Sequence, residues 1–329
     1  MADSKVRSYR LDAFRVYAIF LVVLGHVQFR GDLANDTPFS ISFSYFICIT
    51  ARWLIPYFFI LSGYLLGGKI LREPNQVMPI AKNYTKKLAL IFLFWCLIYT
   101  IEDPRYVFDF ARSQPINFLL QGSKIHLWYL VSLILTVWVY VLWPSEHKST
   151  TFLLFGIILF FLGLLGGSYK QTPFGFDIGF STRNGIFFST LFFAMGVWIY
   201  QKRPHVSKDE ALGIALIGLT IFTIEAYLLK SSIDMREHDF LFGSAPFGLG
   251  MFLFALNSQE HQFDRIVGTY GKYVLGIYVS HFLFIPLWKP LGVYFSSDVW
   301  PIVYSVFVFM TSLLVVMILS RTPLKRFVI

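Results

Sequence analysis

The chain has 329 residues, 56% of them hydrophobic, 19% aromatic and 14% charged, with a formal charge of +9. This balance lies well outside that of soluble domains. Two cysteines, Cys48 and Cys96, offer neither a disulfide framework nor a metal-binding spacing.

Apolar runs long enough to cross about 30 Å of hydrocarbon recur throughout. They predict an all-α integral membrane protein of about ten transmembrane helices, at 13–30, 40–67, 84–101, 126–143, 151–168, 184–201, 211–230, 240–257, 271–289 and 300–320. Arg52 interrupts the second and Pro56 is expected to kink it. The first run is too long for a signal peptide and is expected to stay as an anchor. The connections are short, the longest being 102–125, so the chain is expected to form a single membrane domain over 1–329.

Basic residues set the orientation. Lys5, Arg7 and Arg10, then Lys69, Arg72, Lys82, Lys86 and Lys87, then Lys148, Lys202, Arg203 and Lys208 alternate onto one side. Arg265, Lys272, Arg321, Lys325 and Arg326 join them, giving about 17 basic residues against about nine on the other side. By the positive-inside rule the richer side is cytoplasmic and holds both termini. The net charge therefore describes an inner membrane face, and no nucleic-acid footprint stands behind it.

Ionisable residues inside such runs are costly and point to function. Arg15 and His26 are eleven residues apart, which returns them to within about 20° of one helix face and separates them by roughly 16 Å along the axis. Asp12 lies one turn before Arg15 on the same stripe. Arg15 can also snorkel to the interface or pair with Asp12, and His26 can bond a neighbouring helix. Arg52 lies too deep to snorkel and needs a carboxylate, a carbonyl or an anionic ligand. Ser62 and Gly63 follow Pro56, where a small pair permits close helix approach. His126 and Trp128 open the fourth helix beside Tyr129, where the aromatics can equally form an interfacial belt. Glu102, Asp103, Arg183, Asn184 and Glu225 cluster near the outer side, and Tyr278 and His281 lie in the ninth helix. Together these suggest a polar cavity opening outward. Lys69, Arg72, Lys82, Lys86 and Lys87 form either an ordinary positive-inside signal or a phosphate-binding rim. There is no glycine-rich phosphate loop, His-Glu-x-x-His zinc pattern or Gly-x-Ser-x-Gly elbow.

Four of these elements resemble one family. Arg15, ten residues, then His26, within Arg10-Leu11-Asp12-Ala13-Phe14-Arg15 and Val22-Val23-Leu24-Gly25-His26, resembles the first-helix signature of the membrane acyltransferase-3 family. Pro56-Tyr57-Phe58-Phe59-Ile60-Leu61-Ser62-Gly63-Tyr64 resembles its second-helix element, His126-Leu127-Trp128-Tyr129-Leu130 its His-Leu-Trp element, and Gly276-Ile277-Tyr278-Val279-Ser280-His281 its late tyrosine–histidine element. The resemblance implies a stand-alone O-acyltransferase of the bacterial inner membrane, similar to O-acetyltransferases of enterobacterial common antigen or O-antigen. It implies transfer of an acyl group, commonly acetyl, from cytoplasmic acyl-coenzyme A to a hydroxyl of a surface polysaccharide or its lipid-linked precursor. His26, Arg15 and Asp12 are then expected to be catalytic, with His26 as general base. Arg52, Ser62, Lys86, Lys87, His126, Trp128, Tyr278 and His281 are expected to bind substrate or donor. Acetyl-coenzyme A acts as co-substrate, with no permanent cofactor and no metal. The partners implied are the donor, a glycan or lipid-linked glycan acceptor and the bilayer, with a homo-oligomer left open. Lysines stand where many relatives are arginine-rich. A secondary transporter or polysaccharide exporter is the rival, but only one proline-interrupted span is evident, without the counterpart an inverted repeat needs.

Overall fold

The computed structural model describes residues 8–29, 37–144, 148–231, 234–238 and 240–329; Lys5 and Arg7 lie outside them. These residues are helical with no strand among them, and each of the ten apolar runs coincides with a helix. In chain order the helices are α1 (Tyr9–Phe29), α2 (Pro38–Arg72), α3 (Pro74–Glu102), α4 (Ile125–Leu142), α5 (Lys148–Leu165), α6 (Ile186–Lys202), α7 (Lys208–Leu228), α8 (Ser244–Asn257), α9 (Gln262–Tyr294) and α10 (Trp300–Leu319). Among the described residues, seven combine the length and apolarity needed to cross a membrane. The others are α1, which carries Arg10, Asp12 and Arg15, and α6 and α8, of 17 and 14 residues.

One expectation takes a sharper form and one needs correction. The break in α2 falls at Ala51–Trp53, upstream of Pro56: one helical segment ends at Thr50 and the next begins at Leu54. Proline has no N–H for the carbonyl four residues back, which is that of Arg52, and its ring crowds that carbonyl. The distortion therefore lands on Arg52 itself. The connection 102–125 also contains two short helices, Pro104–Ser113 and Pro115–Gln121. Each starts with proline, whose missing N–H costs nothing in a first turn, and Asp103 caps the first by accepting from the Tyr106 N–H at 3.1 Å.

The chain divides into two compact units. One comprises Met1–Leu54, Val206–Gly213 and Gly250–Ile329, and the other Ile55–His205 and Ile214–Leu249. In the first, α1 packs on α10 and on the first turns of α9. Phe20 meets Phe309 edge-on at 5.4 Å, and Phe14 lies 6.1 Å from Phe254.

In the second unit, α6 packs on α5 and on the π-helical turn Gly63–Gly67 of α2. This contact is backbone against backbone. A Cβ on Gly63 would lie 2.0 Å from the Phe193 carbonyl oxygen, and one on Gly196 would lie 2.0 Å from that of Ile60. Gly63 is thus a packing residue, of the kind small residues provide between membrane helices. Gly63→Ala is expected to force the helices apart and cost about 1–3 kcal/mol, read as a lower denaturation midpoint in detergent. An unchanged midpoint would contradict the close approach.

Candidate functional site

His26 lies in the last two turns of the unbroken helix α1, half-buried. Its Nδ1 is 3.3 Å from Nε2 of His281, although the two residues are 255 positions apart in sequence. Phe282 packs edge-on against the His26 ring at 4.9 Å. His281 is fully buried, and its Nδ1 lies 2.7 Å from the Tyr278 carbonyl and 3.1 Å from that of Ile277. Carbonyl oxygens only accept, so Nδ1 of His281 carries the proton and donates. Its Nε2 is then the acceptor in the neutral ring, and Nδ1 of His26 donates to it. This chain of donors leaves the His26 lone pair on Nε2. The two rings form an ordered pair in which one sets the tautomer of the other.

Arg15 and Asp12 form an ion pair one turn apart, Nη1 to Oδ1 at 3.0 Å. Part of the cost of a guanidinium on this helix is thereby offset within the helix itself. Closer to the start of α1, Arg10 Nη1 donates to both oxygens of Asp264 at 3.0 and 2.8 Å. Asp264 is 2% exposed and also accepts from the His261 N–H at 2.9 Å and the Tyr17 hydroxyl at 3.4 Å. In the sequence Arg10 stands out as a cytoplasmic charge and as part of the first-helix motif, but without a partner role, and Asp264 and Tyr17 are not singled out. The available signal is the acid–base neighbours Asp264 and Arg265 just ahead of the ninth apolar run. Arg52 belongs to this first unit, on the turn that splits α2.

The second unit holds the remaining candidates. Ser62 Oγ donates to the Phe58 carbonyl at 2.8 Å and lies 3.2 Å from the Tyr129 hydroxyl. The Tyr129 hydroxyl reaches the same carbonyl at 3.4 Å, and its ring packs 4.5 Å from Phe59. Ser62 is thus held within its own helix and braced from α4. Trp128 lies under the Arg183 guanidinium, 5.2 Å from its ring, a cation–π contact. His126 sits in the 3₁₀ turn opening α4, 2% exposed and edge-on to Tyr99 at 5.4 Å.

Several candidates take structural parts. Glu102 pairs with Lys124 at 2.8 Å. Glu225 accepts from the Tyr169 hydroxyl at 2.5 Å and from the backbone N–H groups of Phe242 and Gly243 at 3.0 and 2.7 Å. Burial, then the hydrogen bond and charge of Glu225, push the Tyr169 phenol above its ordinary range. Asn184 is buried beside Gly185, whose N–H donates to Ser132 Oγ at 2.8 Å. Lys82, Lys86 and Lys87 all lie within the third helix and are exposed, because the helical path begins at Pro74, ahead of the expected start at 84. Arg72 is held on Tyr200, which accepts from its Nη1 and lies under its guanidinium. Among the described residues, the outer-side candidates are divided between ion pairs, helix contacts and one cavity lining. Arg183 lines that cavity, in the second unit, and Glu225 braces its walls.

These features define a class: a multi-pass helical membrane protein whose first helix carries a paired guanidinium and an imidazole coupled to a second imidazole. Residues 8–321 match the family model described as an acyltransferase domain, acyltransferase-3, and the chain belongs to that family. It is 27% identical over 314 residues to an amino-acid racemase of Enterococcus faecalis, covering 87% of this chain and 43% of that protein. It is 29% identical over 289 residues to a serine/alanine racemase of Enterococcus gallinarum, covering 82% of this chain and 40% of the relative. The chain thus spans less than half the length of these curated relatives. No solved structure matches it significantly.

Proposed function

We propose that this protein is a membrane O-acyltransferase. It moves an acyl group, acetyl in the simplest case, from cytoplasmic acyl-coenzyme A to a hydroxyl of a bacterial surface polysaccharide or its lipid-linked precursor. In this reading ten helices cross the inner membrane, with both termini cytoplasmic. Membership of the acyltransferase-3 family supports the reaction class. The observation that supports the mechanism is the nitrogen geometry of the histidine pair, in which His26 Nδ1 faces Nε2 of a His281 whose Nδ1 donates to the Tyr278 carbonyl, so that His26 Nε2 is read as the base.

The reaction runs along α1. Phosphates of the donor meet the cytoplasmic basic residues, Arg15 among them, and the pantetheine arm follows the stripe for the roughly 16 Å between Arg15 and His26. The acceptor hydroxyl attacks the thioester carbonyl while His26 Nε2 removes its proton. The tetrahedral intermediate then collapses: the carbon–sulfur bond breaks, the ester remains on the sugar, and the coenzyme A thiolate takes the proton from the His26 imidazolium. Through these steps His26 Nδ1–H stays bonded to His281 Nε2, which steadies the imidazolium.

The test is thiol release from acetyl-coenzyme A by the full chain in liposomes. Release is expected to rise when an extracted lipid-linked or polymeric surface glycan is added, with acetyl recovered on that glycan. Absence of glycan-dependent release, with glycan export in its place, would sink the reading. Arg15→Ala is expected to raise the KM for acetyl-coenzyme A about ten- to hundred-fold by removing a charge-assisted contact, and to leave the acceptor KM near its original value. If only the acceptor KM moved, the division of labour along α1 would be wrong.

A further inference from the structure

Three connections far apart in sequence line an open cavity of about 470 Å³ in the second unit, within the size range of small-molecule sites. They follow α3, α5 and α7, so in the proposed topology they share the outer face. Asn117 comes from the first, Ser168, Lys170, Asp177 and Ser181–Arg183 from the second, and Glu237, His238 and Phe240 from the third.

The walls are tied together. Asn117 Oδ1 accepts from the Ser181 N–H at 3.0 Å, joining the first connection to the second. Ser168 Oγ donates to the Phe240 carbonyl at 2.5 Å, joining the second to the third, and Tyr169 donates at 2.5 Å to Glu225 of α7, which also accepts from the Phe242 and Gly243 N–H groups of the third. Thr182 Oγ1 anchors the base by donating to the Gly163 carbonyl at 2.7 Å. A cavity braced at four points is preformed, and this lowers the ordering cost of binding.

Its chemistry selects among ligands. The floor is formed by buried Thr182, His238 and Phe240, and the rim by exposed Lys170, Asp177 and Glu237. Lys170 and Arg183 supply positive charge, and Asp177 and Glu237 balance it. Arg183 already stacks over Trp128, outside the lining. A polyanion would meet two carboxylates here, and a lipid tail would meet mostly polar groups. A neutral, hydroxyl-rich ring uses both the donors and the acceptors.

We propose that this cavity docks a neutral sugar unit of the acceptor glycan. The proposal rests on the acyltransferase reading and adds to it the place and chemistry of the acceptor. The test applies the full chain, labelled and reconstituted in nanodiscs, to an immobilised array of neutral, phosphorylated and acidic glycans. Retention on neutral glycans is expected, reduced about ten-fold or more by Asp177→Asn or Glu237→Gln. Asp177 also accepts from the Gly179 N–H at 2.8 Å. If Asp177→Asn loses helicity, Glu237→Gln carries the test, because that side chain is exposed on the rim. Retention that tracks the negative charge of the glycan, retention indifferent to both variants, or no retention at all overturns the proposal. Thiol release is read separately. Glycan-dependent release without array binding overturns the cavity assignment alone. Array binding without any thiol release overturns the acyltransferase reading and leaves a glycan-binding membrane protein.

Discussion

His26→Ala is expected to lower acyl transfer by about 10²–10⁴-fold, the range that a positioned general base supplies, while the protein still inserts and folds. The expectation of intact folding comes from position. His26 is half-buried near the end of α1, and the helix is held elsewhere by Phe14, Phe20 and the Arg10–Asp264 pair. Thiol release and acetylated glycan are the readouts, with helicity and elution in detergent as the folding control. Near-normal transfer by the variant would remove His26 from the mechanism. His281 gives the matching contrast. His281→Phe deletes the nitrogen that accepts from His26 Nδ1, so the His26 proton is no longer assigned to that nitrogen, and turnover is expected to fall about ten-fold or more. His281→Gln returns an acceptor near the Nε2 position and is expected to recover part of the loss. Equal activity in the two variants would show that His281 serves packing alone.

Much of the architecture was legible because hydrocarbon imposes length and apolarity on every crossing helix. The runs around Leu130, Leu159 and Leu313 therefore coincide with α4, α5 and α10. Local chemistry was legible as well: Pro56 announced a break, though its action on the carbonyl of Arg52 shifted that break upstream. The short helix after Asp103 was hidden, because its ten residues are amphipathic and fall well short of the long apolar run by which the crossing helices are recognised. Arg15 and Asp12 could be paired from their spacing along one helix face. The contacts of Arg10 with Asp264 and of His26 with His281 join residues more than 250 positions apart, and no periodicity encodes such a meeting. The tautomer argument depends on atoms, on the 2.7 Å between His281 Nδ1 and the Tyr278 carbonyl, and is visible only once α9 is built. The cavity residues Lys170, Asp177 and Glu237 lay in irregular connections, where pattern is weakest.

Asp264→Ala is expected to destabilise the protein by about 3–5 kcal/mol, because it leaves the Arg10 guanidinium, 15% exposed, without the carboxylate it forks onto. Arg10 and His26 are sixteen residues apart on α1, and Asp264 and His281 are seventeen apart along α9. The ion pair and the histidine pair are therefore two rungs between the same helices, about 24 Å apart along α1. Around the lower rung the helices approach closely, since a Cβ on Gly268 would lie 2.6 Å from the Tyr9 carbonyl oxygen and one on Gly271 would lie 2.9 Å from Asp12 Cβ. Loss of the lower rung is thus expected to loosen the register that aligns His281 Nε2 with His26 Nδ1, and to lower kcat more than it raises the KM for acetyl-coenzyme A. Arg10→Met combined with Asp264→Leu removes both charges and is expected to regain most of the stability, since an apolar pair of similar volume replaces a buried ion pair at little net cost. Denaturation midpoints of the two single variants and the double variant check this. A single variant as stable as the parent, or a double variant no better than Asp264→Ala, would show that the pair does not hold the two helices in register.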